Sequence, residues 1–136
     1  MPPAPSPPRL PSKPSRRLCA LSPNLESPIE QAFWGAYVQQ TPRELNGLEA
    51  QHPVFGGRYR IDFALSKQKI GIELDGYAWH SSPEAFTRDR ARQRELELDG
   101  WRIVRFSGSE ITEDAADCVR QAAAFAASIE RDRPIP

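Results

Sequence analysis

Apolar residues return every three or four positions from Ile29 to Tyr37, so that Ile29, Ala32, Phe33, Ala36 and Tyr37 share one face of a predicted helix. Ahead of it, Ser27-Pro28-Ile29-Glu30 puts serine at the N-cap, proline at the first helical position and glutamate at the third, which is a capping box. Pro42 stops the helix. The period then falls to two. Residues 46–52 give a weak strand signal, and Phe55-Gly56-Gly57-Arg58 supplies a hairpin turn. Tyr59, Ile61, Phe63 and Leu65 alternate with Arg58, Arg60, Asp62 and Ala64, and the same alternation returns over Ile70–Asp75 after a Lys67-Gln68 link. Asp75-Gly76 ends that strand. Pro83–Asp99 reads as a long polar helix broken by Gly100, Trp101–Phe106 as a short strand, and Thr112 onward as a helix with Val119, Ala122, Ala123, Ala126 and Ile129 on its apolar side. The order is helix, two or three antiparallel strands, helix, strand, helix: an α/β sandwich on a mixed sheet. The crossover from residue 75 to residue 101 is long enough to make the last two strands parallel.

Composition narrows the picture. A chain of 136 residues fits one domain. Seven of its 14 prolines fall in the first 14 residues, together with Arg9 and Lys13, and Arg16 and Arg17 follow. Such a stretch has few backbone donors and little apolar mass, so residues 1–22 are expected to be a disordered, Pro-rich basic arm, with the folded domain over 23–130 and a flexible tail over 131–136. There is no run of about 18 apolar residues to cross a membrane, and the arm has no apolar core to act as a secretory signal. Cys19 and Cys118 make neither a disulfide framework nor a metal-type spacing. These features point to a cytoplasmic protein. Lys+Arg and Asp+Glu both number 18, so no global positive field draws in nucleic acid. Any such binding would use a local groove or the basic arm, because residues 106–136 carry six acids against three bases.

Chemistry concentrates on the two central strands. Asp62 sits between Ile61 and Phe63. Glu73 sits between Ile72 and Leu74, and Asp75 lies two residues on, on the same face as Glu73. Three carboxylates on one partly buried face repel unless a cation holds them ionised together, and hard oxygen ligands suit Mg²⁺. Taken singly, Asp62 also reads as an outward strand residue and Asp75-Gly76 as a turn. Arg88, Asp89, Arg92 and Gln93 lie on the following helix, where Asp89 and Arg92 can pair on one face; Arg92 is also suited to a phosphate. Arg105 alternates with Val104 and Phe106 and can point to the same groove. His52, before Pro53, is expected at the surface.

The stretches Arg60-Ile61-Asp62-Phe63-Ala64, Ile72-Glu73-Leu74-Asp75-Gly76, Trp79-His80, Arg88-Asp89-Arg90-Ala91-Arg92, Leu96 and Gly100-Trp101-Arg102-Ile103-Val104-Arg105-Phe106 together resemble the restriction-endonuclease-type domain of the very-short-patch-repair-like group, many of whose members are small bacterial proteins. The resemblance covers roughly residues 24–129. It implies a PD-(D/E)XK, restriction-endonuclease-like core of order αβββαβα with a mixed central sheet flanked by helices. It also implies a phosphodiester hydrolase that acts on DNA, in repair or restriction. By this resemblance Asp62 is the first acidic metal ligand and Glu73 the second. Asp75 stands where the wider superfamily has a catalytic lysine, a departure that makes it a direct or water-mediated ligand. The very-short-patch-repair enzymes also lack that lysine and have a Trp-His pair matching Trp79-His80. His80 is thereby the candidate general base, and Trp79 an aromatic for stacking on bases. Glu30 fits two roles, the capping box and an acid near the metal.

The leading expectation is therefore a Mg²⁺-dependent DNA endonuclease in which Mn²⁺ can substitute. Asp62, Glu73 and Asp75 bind metal, His80 activates water, and Trp79, Arg92 and Arg105 meet DNA. Histidine titrates near neutral pH and needs no large shift to serve as a base. A non-catalytic nuclease-fold module that binds nucleic acid or protein is the alternative, and an RNA phosphodiesterase a third. Monomer and homodimer are both left open. Deleting residues 1–22 is expected to leave the thermal melt unchanged while weakening DNA binding and flattening its salt dependence; an unchanged salt slope would make the arm a passenger.

Overall fold

The computed structural model of the chain describes residues 2–4, 25, 27–76 and 82–133. Most of the arm expected over residues 1–22, and the Trp79-His80 pair, lie outside them. The elements are α1 (Pro28–Gln40), a 3-10 turn (Arg43–Leu45), β1 (Glu49–Val54), β2 (Tyr59–Leu65), β3 (Ile70–Asp75), α2 (Pro83–Leu98), β4 (Arg102–Ser107) and α3 (Gly108–Asp132). The sheet order is β1-β2-β3-β4. The first two pairings are antiparallel and β3–β4 is parallel, as a crossover through α2 requires. The mixed sheet flanked by helices agrees with the expected αβββαβα core. Among the described residues no helix is long and apolar enough to cross a membrane.

Local chemistry sets the helix starts. The Ser27–Glu30 capping box is formed at α1. A second box, Ser107 with Glu110, starts α3 at Gly108, before the Thr112 expected from the apolar pattern. Glycine is a weak helix former, so the first turn carries little periodic signal and the cap alone marks it. At Asp114 the backbone leaves helical geometry (φ −157°, ψ 83°). The Asp114 side chain accepts the Asp117 N–H at 3.0 Å, which caps the helix afresh ahead of its apolar stretch.

Two apolar layers cover the sheet. On one face, α1 and α3 pack Phe33, Tyr37, Val119, Ala122 and Ala126 against Phe63, Ile72, Leu74 and Phe106, with the Phe33 and Phe63 rings 5.0 Å apart. Ala32, expected on the buried side of α1, is exposed. Trp34 packs there instead, stacked on Phe63 at 5.9 Å. On the other face, Leu96 of α2 and Trp101 pack with Val54, Ile61 and Ala64.

The simple alternation expected along β2 breaks at Asp62. Ile61 packs in the α2 layer, whereas Phe63 and Leu65 pack in the α1/α3 layer. Residues two apart on a regular strand share a face, so the strand changes face between them. Opposite, between His52↔Ile61 and Ala50↔Phe63, Gln51 takes the left-handed conformation (φ 52°), which is uncommon for a residue with a side chain. Asp62 therefore sits at an irregular point between two well-packed halves of one strand.

Gly71 of β3 lies under α2. A Cβ placed on it would stand 3.0 Å from Ile61 Cγ2 and 3.2 Å from Ile103 Cγ1. Its missing side chain lets these isoleucines close over the strand. Gly71→Val is expected to lower stability in urea denaturation by about 1–3 kcal/mol through overpacking; a neutral result would show that the α2 layer is loosely packed.

Candidate active site

The site lies partway along β2 and β3, where their pairing gives out. The ladder runs Phe63↔Ile72, Ala64↔Gly71 and Leu65↔Ile70. One step further on, the Leu74 N–H donates instead to the Asp62 side chain, Oδ2, at 2.9 Å. The carboxylate thus replaces a backbone partner as the strands part.

Glu73 is 5% exposed in the parallel β3–β4 pair, directly across from Arg105. Arg105 Nη1 lies 2.7 Å from Glu73 Oε2 and 3.8 Å from Asp75 Oδ1. From the other side comes Arg92 of α2, one turn before the buried Leu96 that anchors the helix to the sheet. Arg92 Nη1 donates to Glu73 Oε2 at 3.2 Å, and Arg92 Nη2 donates to Glu73 Oε1 and, at 3.0 Å, to the Arg60 carbonyl. Its guanidinium lies 6.0 Å from the Tyr59 ring centroid. A near-buried carboxylate so held is strongly fixed, since desolvated charges need both pairing and hydrogen bonds. Asp75, on the same face, is exposed.

Asp62 lacks such compensation. Burial is the main force pushing its carboxyl from the ordinary 3.8 to about 6; the negative charges of Glu73 and Glu30 add to this, while the Leu74 amide and Arg92 oppose it. Glu30 itself is buried on α1, and its Oε2 accepts the Ser27 N–H at 3.1 Å. Its capping role is thus formed, and its charge also reaches Asp62.

The structure brings Asp62, Glu73, Arg92 and Arg105 together, with Asp75 at the rim. It does not gather the three acids around one point. Among the described residues, no group of three or more His, Cys, Asp or Glu is arranged to hold a metal. Both oxygens of Glu73 face guanidiniums instead, so the two arginines expected at a DNA phosphate meet a carboxylate. His80 and Trp79 lie outside the described residues. His52, expected at the surface, is partly covered: its ring lies 5.7 Å from Trp101, and its Nδ1 is 3.2 Å from Glu49 Oε2. The sequence reading missed the Arg60 carbonyl and the Tyr59 ring as supports for Arg92. Backbone acceptors leave no mark in a sequence, whereas an aromatic opening a strand beside a basic helix is a usable signal.

Residues 38–125 match the model of REase_MTES_1575, a restriction endonuclease-like family. Relatives include MT2308 of Mycobacterium tuberculosis (strain CDC 1551 / Oshkosh), 30% identical over 88 residues that cover 62% of this chain and 31% of that protein. A protein of Haemophilus influenzae (strain ATCC 51907 / DSM 11121 / KW20 / Rd) is 34% identical over 74 residues, covering 54% of this chain and 60% of the other. YcjD of Escherichia coli (strain K12) is 41% identical over 61 residues, covering 45% and 48%. The chain thus spans about a third to three fifths of the length of these relatives. Among solved structures, the homing endonuclease I-Bth0305I catalytic domain superposes with a TM-score of 0.55 over 74% of this chain and 98% of that one; at 18% identity this is a likeness of fold.

The Asp62 carboxyl binds its proton more tightly in the fold than its ordinary 3.8 implies. Its charge therefore costs no stability below about pH 4. The cost grows as pH rises and is fully present above about pH 6. Asp62→Asn keeps an oxygen for the Leu74 N–H. It is expected to raise stability at pH 8, without divalent cations, by about 1–2 kcal/mol, a gain that fades by pH 4 in urea titrations. Equal effects at both pH values would show that the charge is not the cause.

Proposed function

Since the chain belongs to the restriction endonuclease-like REase_MTES_1575 family, we propose that it is a divalent-metal-dependent endonuclease that hydrolyses DNA phosphodiester bonds. The observation that carries this reading is the convergence of Asp62 and Glu73 where β2 and β3 part. The Asp62 carboxyl is pushed up to about 6, chiefly by burial and further by the charges of Glu73 and Glu30, which together outweigh the opposing Leu74 amide and Arg92. Hard carboxylate oxygens suit Mg²⁺, with Mn²⁺ as a substitute.

Asp62 and Glu73 would hold the cation, and Asp75 at the rim would join directly or through water. When bound, the cation neutralises the non-bridging phosphate oxygens and acidifies water. His80, following β3 in sequence, takes the proton from the attacking water. Arg92 and Arg105 present guanidiniums suited to bidentate contact with phosphate oxygens, and Trp79 offers an aromatic face to a base. With a net formal charge of zero, the protein relies on these local contacts rather than a global field.

One observation favours a different reading. Glu73, with both oxygens engaged by arginines, is also what a structural ion-pair centre in a non-catalytic binding module would have. Plasmid cleavage separates the two. The purified chain with Mg²⁺ or Mn²⁺ is expected to nick or cut supercoiled DNA, Asp62→Ala and Glu73→Ala to abolish cutting, and His80→Ala to slow it by about 10²–10⁴-fold. Absence of cleavage by the parent, or cleavage by Asp62→Ala at the parental rate, would overturn the enzymatic reading.

A further inference from the structure

The first half of α2 stands clear of the body of the protein. From Ser82 to Arg90 every residue is exposed except Ala85, which is partly covered, and the buried residue of the helix, Leu96, lies in its second half. A helix that merely covers a sheet keeps one face dry along its whole length. Here Pro83–Arg90 extends about 12 Å past the packed half. These turns carry a large exposed ring, Phe86, at 54% exposure, with the Arg90 guanidinium 4.7 Å from its centroid. Between Phe86 and Arg94 the chain places Arg88, Arg90, Arg92 and Arg94 against the single acid Asp89, although acids and bases are equal in number over the whole sequence. Asp89 is itself occupied: it accepts from Gln93 Nε2 at 2.9 Å and lies 3.8 Å from Arg92 Nη1. Among the described residues no acid pairs with Arg88 or Arg94.

We propose that the projecting half of α2 enters the major groove of duplex DNA, with Arg88 and Arg90 at the two phosphate rims and Phe86 against base edges. This rests on the reading that the chain acts on DNA, and adds the form of that DNA and the element that grips it. Size selects the groove. A helix with its side chains is about 10–12 Å across, which fits the major groove, about 12 Å wide, and not the minor groove, about 6 Å wide. Residues two apart on a helix point about 200° apart, so Arg88 and Arg90 leave opposite sides of α2, one toward each strand of the backbone. Arg88 lies one turn before Arg92 on the same side, and the Arg92–Glu73 pair ties this surface to the site. Phe86, one turn before Arg90, presents a ring suited to a thymine methyl group. A protein groove would call for an apolar stripe on the helix, whereas Phe86 is the one large apolar side chain on the projecting turns.

The test is fluorescence anisotropy of the full chain with a labelled duplex in EDTA, so that nothing depends on turnover, with thermal melts alongside. Arg88→Gln and Arg90→Gln are each expected to weaken duplex binding about tenfold and to lower the slope of log affinity against log salt by about 1. Phe86→Ala should weaken binding and leave the slope unchanged. All three side chains meet solvent, so the melting temperature should hold and a loss of binding is not a loss of fold. Arg131→Gln, exposed in the last turn of α3, controls for the general field and should change affinity little. A major-groove dye such as methyl green should compete with the protein, and the minor-groove ligand netropsin should not. Parental affinity in both Arg88→Gln and Arg90→Gln would overturn the groove assignment, and so would competition by netropsin alone. Weakening by Arg131→Gln equal to that by Arg88→Gln would overturn it as well. If the parent binds no duplex, the inference falls, whereas nicking of plasmid DNA would still uphold the nuclease reading.

Discussion

A carboxylate taken almost wholly out of water must find positive charge or give up its own. Glu73 is in that position, and much of the surrounding architecture can be read as the means of supplying partners. The parallel register of β3 and β4 puts Arg105 directly across from it. That register exists because α2 carries the chain back over the sheet, and the same helix brings Arg92 to the other side. Leu96 and Trp101 anchor α2 near Ile61 and Ala64, and Gly71 leaves room for Ile61 and Ile103 to close beneath it. The apolar layer is thus what positions the ion pairs. Its contacts are individually weak and non-directional, yet they fix the helix closely enough for bidentate pairing.

Asp62 presents the opposite case. It occupies the point where β2 changes face, beside a left-handed Gln51 on the neighbouring strand. Its carboxylate accepts a hydrogen bond from the Leu74 amide, and the charges acting on it include two carboxylates. Nothing in packing calls for an acid there. A residue that burdens the fold where a neutral one would serve is of the kind that gathers where function and stability pull apart. The two neighbouring acids therefore differ in kind: Glu73 is compensated within the fold, and Asp62 is not.

Most of the fold was legible in the sequence because its signals are local. The Ser27 capping box, the 55–58 turn, the polar helix ended by Gly100 and the crossover length each follow from a short stretch of chain. What escaped was set by tertiary contact. The exposure of Ala32 and the partial burial of Trp34 depend on how α1 rolls onto Phe63. The change of face at Asp62 is invisible to a period-two pattern, because both halves of β2 remain apolar on alternate residues. The start of α3 was missed because Gly108 hides a cap that Ser107 and Glu110 spell out. At the site, spacing correctly put Glu73 and Asp75 on one face. It could not show that the arginines on α2 and β4 would turn toward Glu73, since a sequence lists charges without saying which of them meet.

That pairing changes how the zero net charge is to be understood. A site built of acids alone would leave the cation-free chain with several unneutralised carboxylates, and folding would then depend on metal, as it does in small domains whose ligands have no other partner. Here Arg92 and Arg105 supply the opposite charge internally, so the α2 layer and the β3–β4 register can form without a bound ion. Charge is thus balanced within the site itself, and a formal net charge of zero over the whole chain says little about the potential at Glu73.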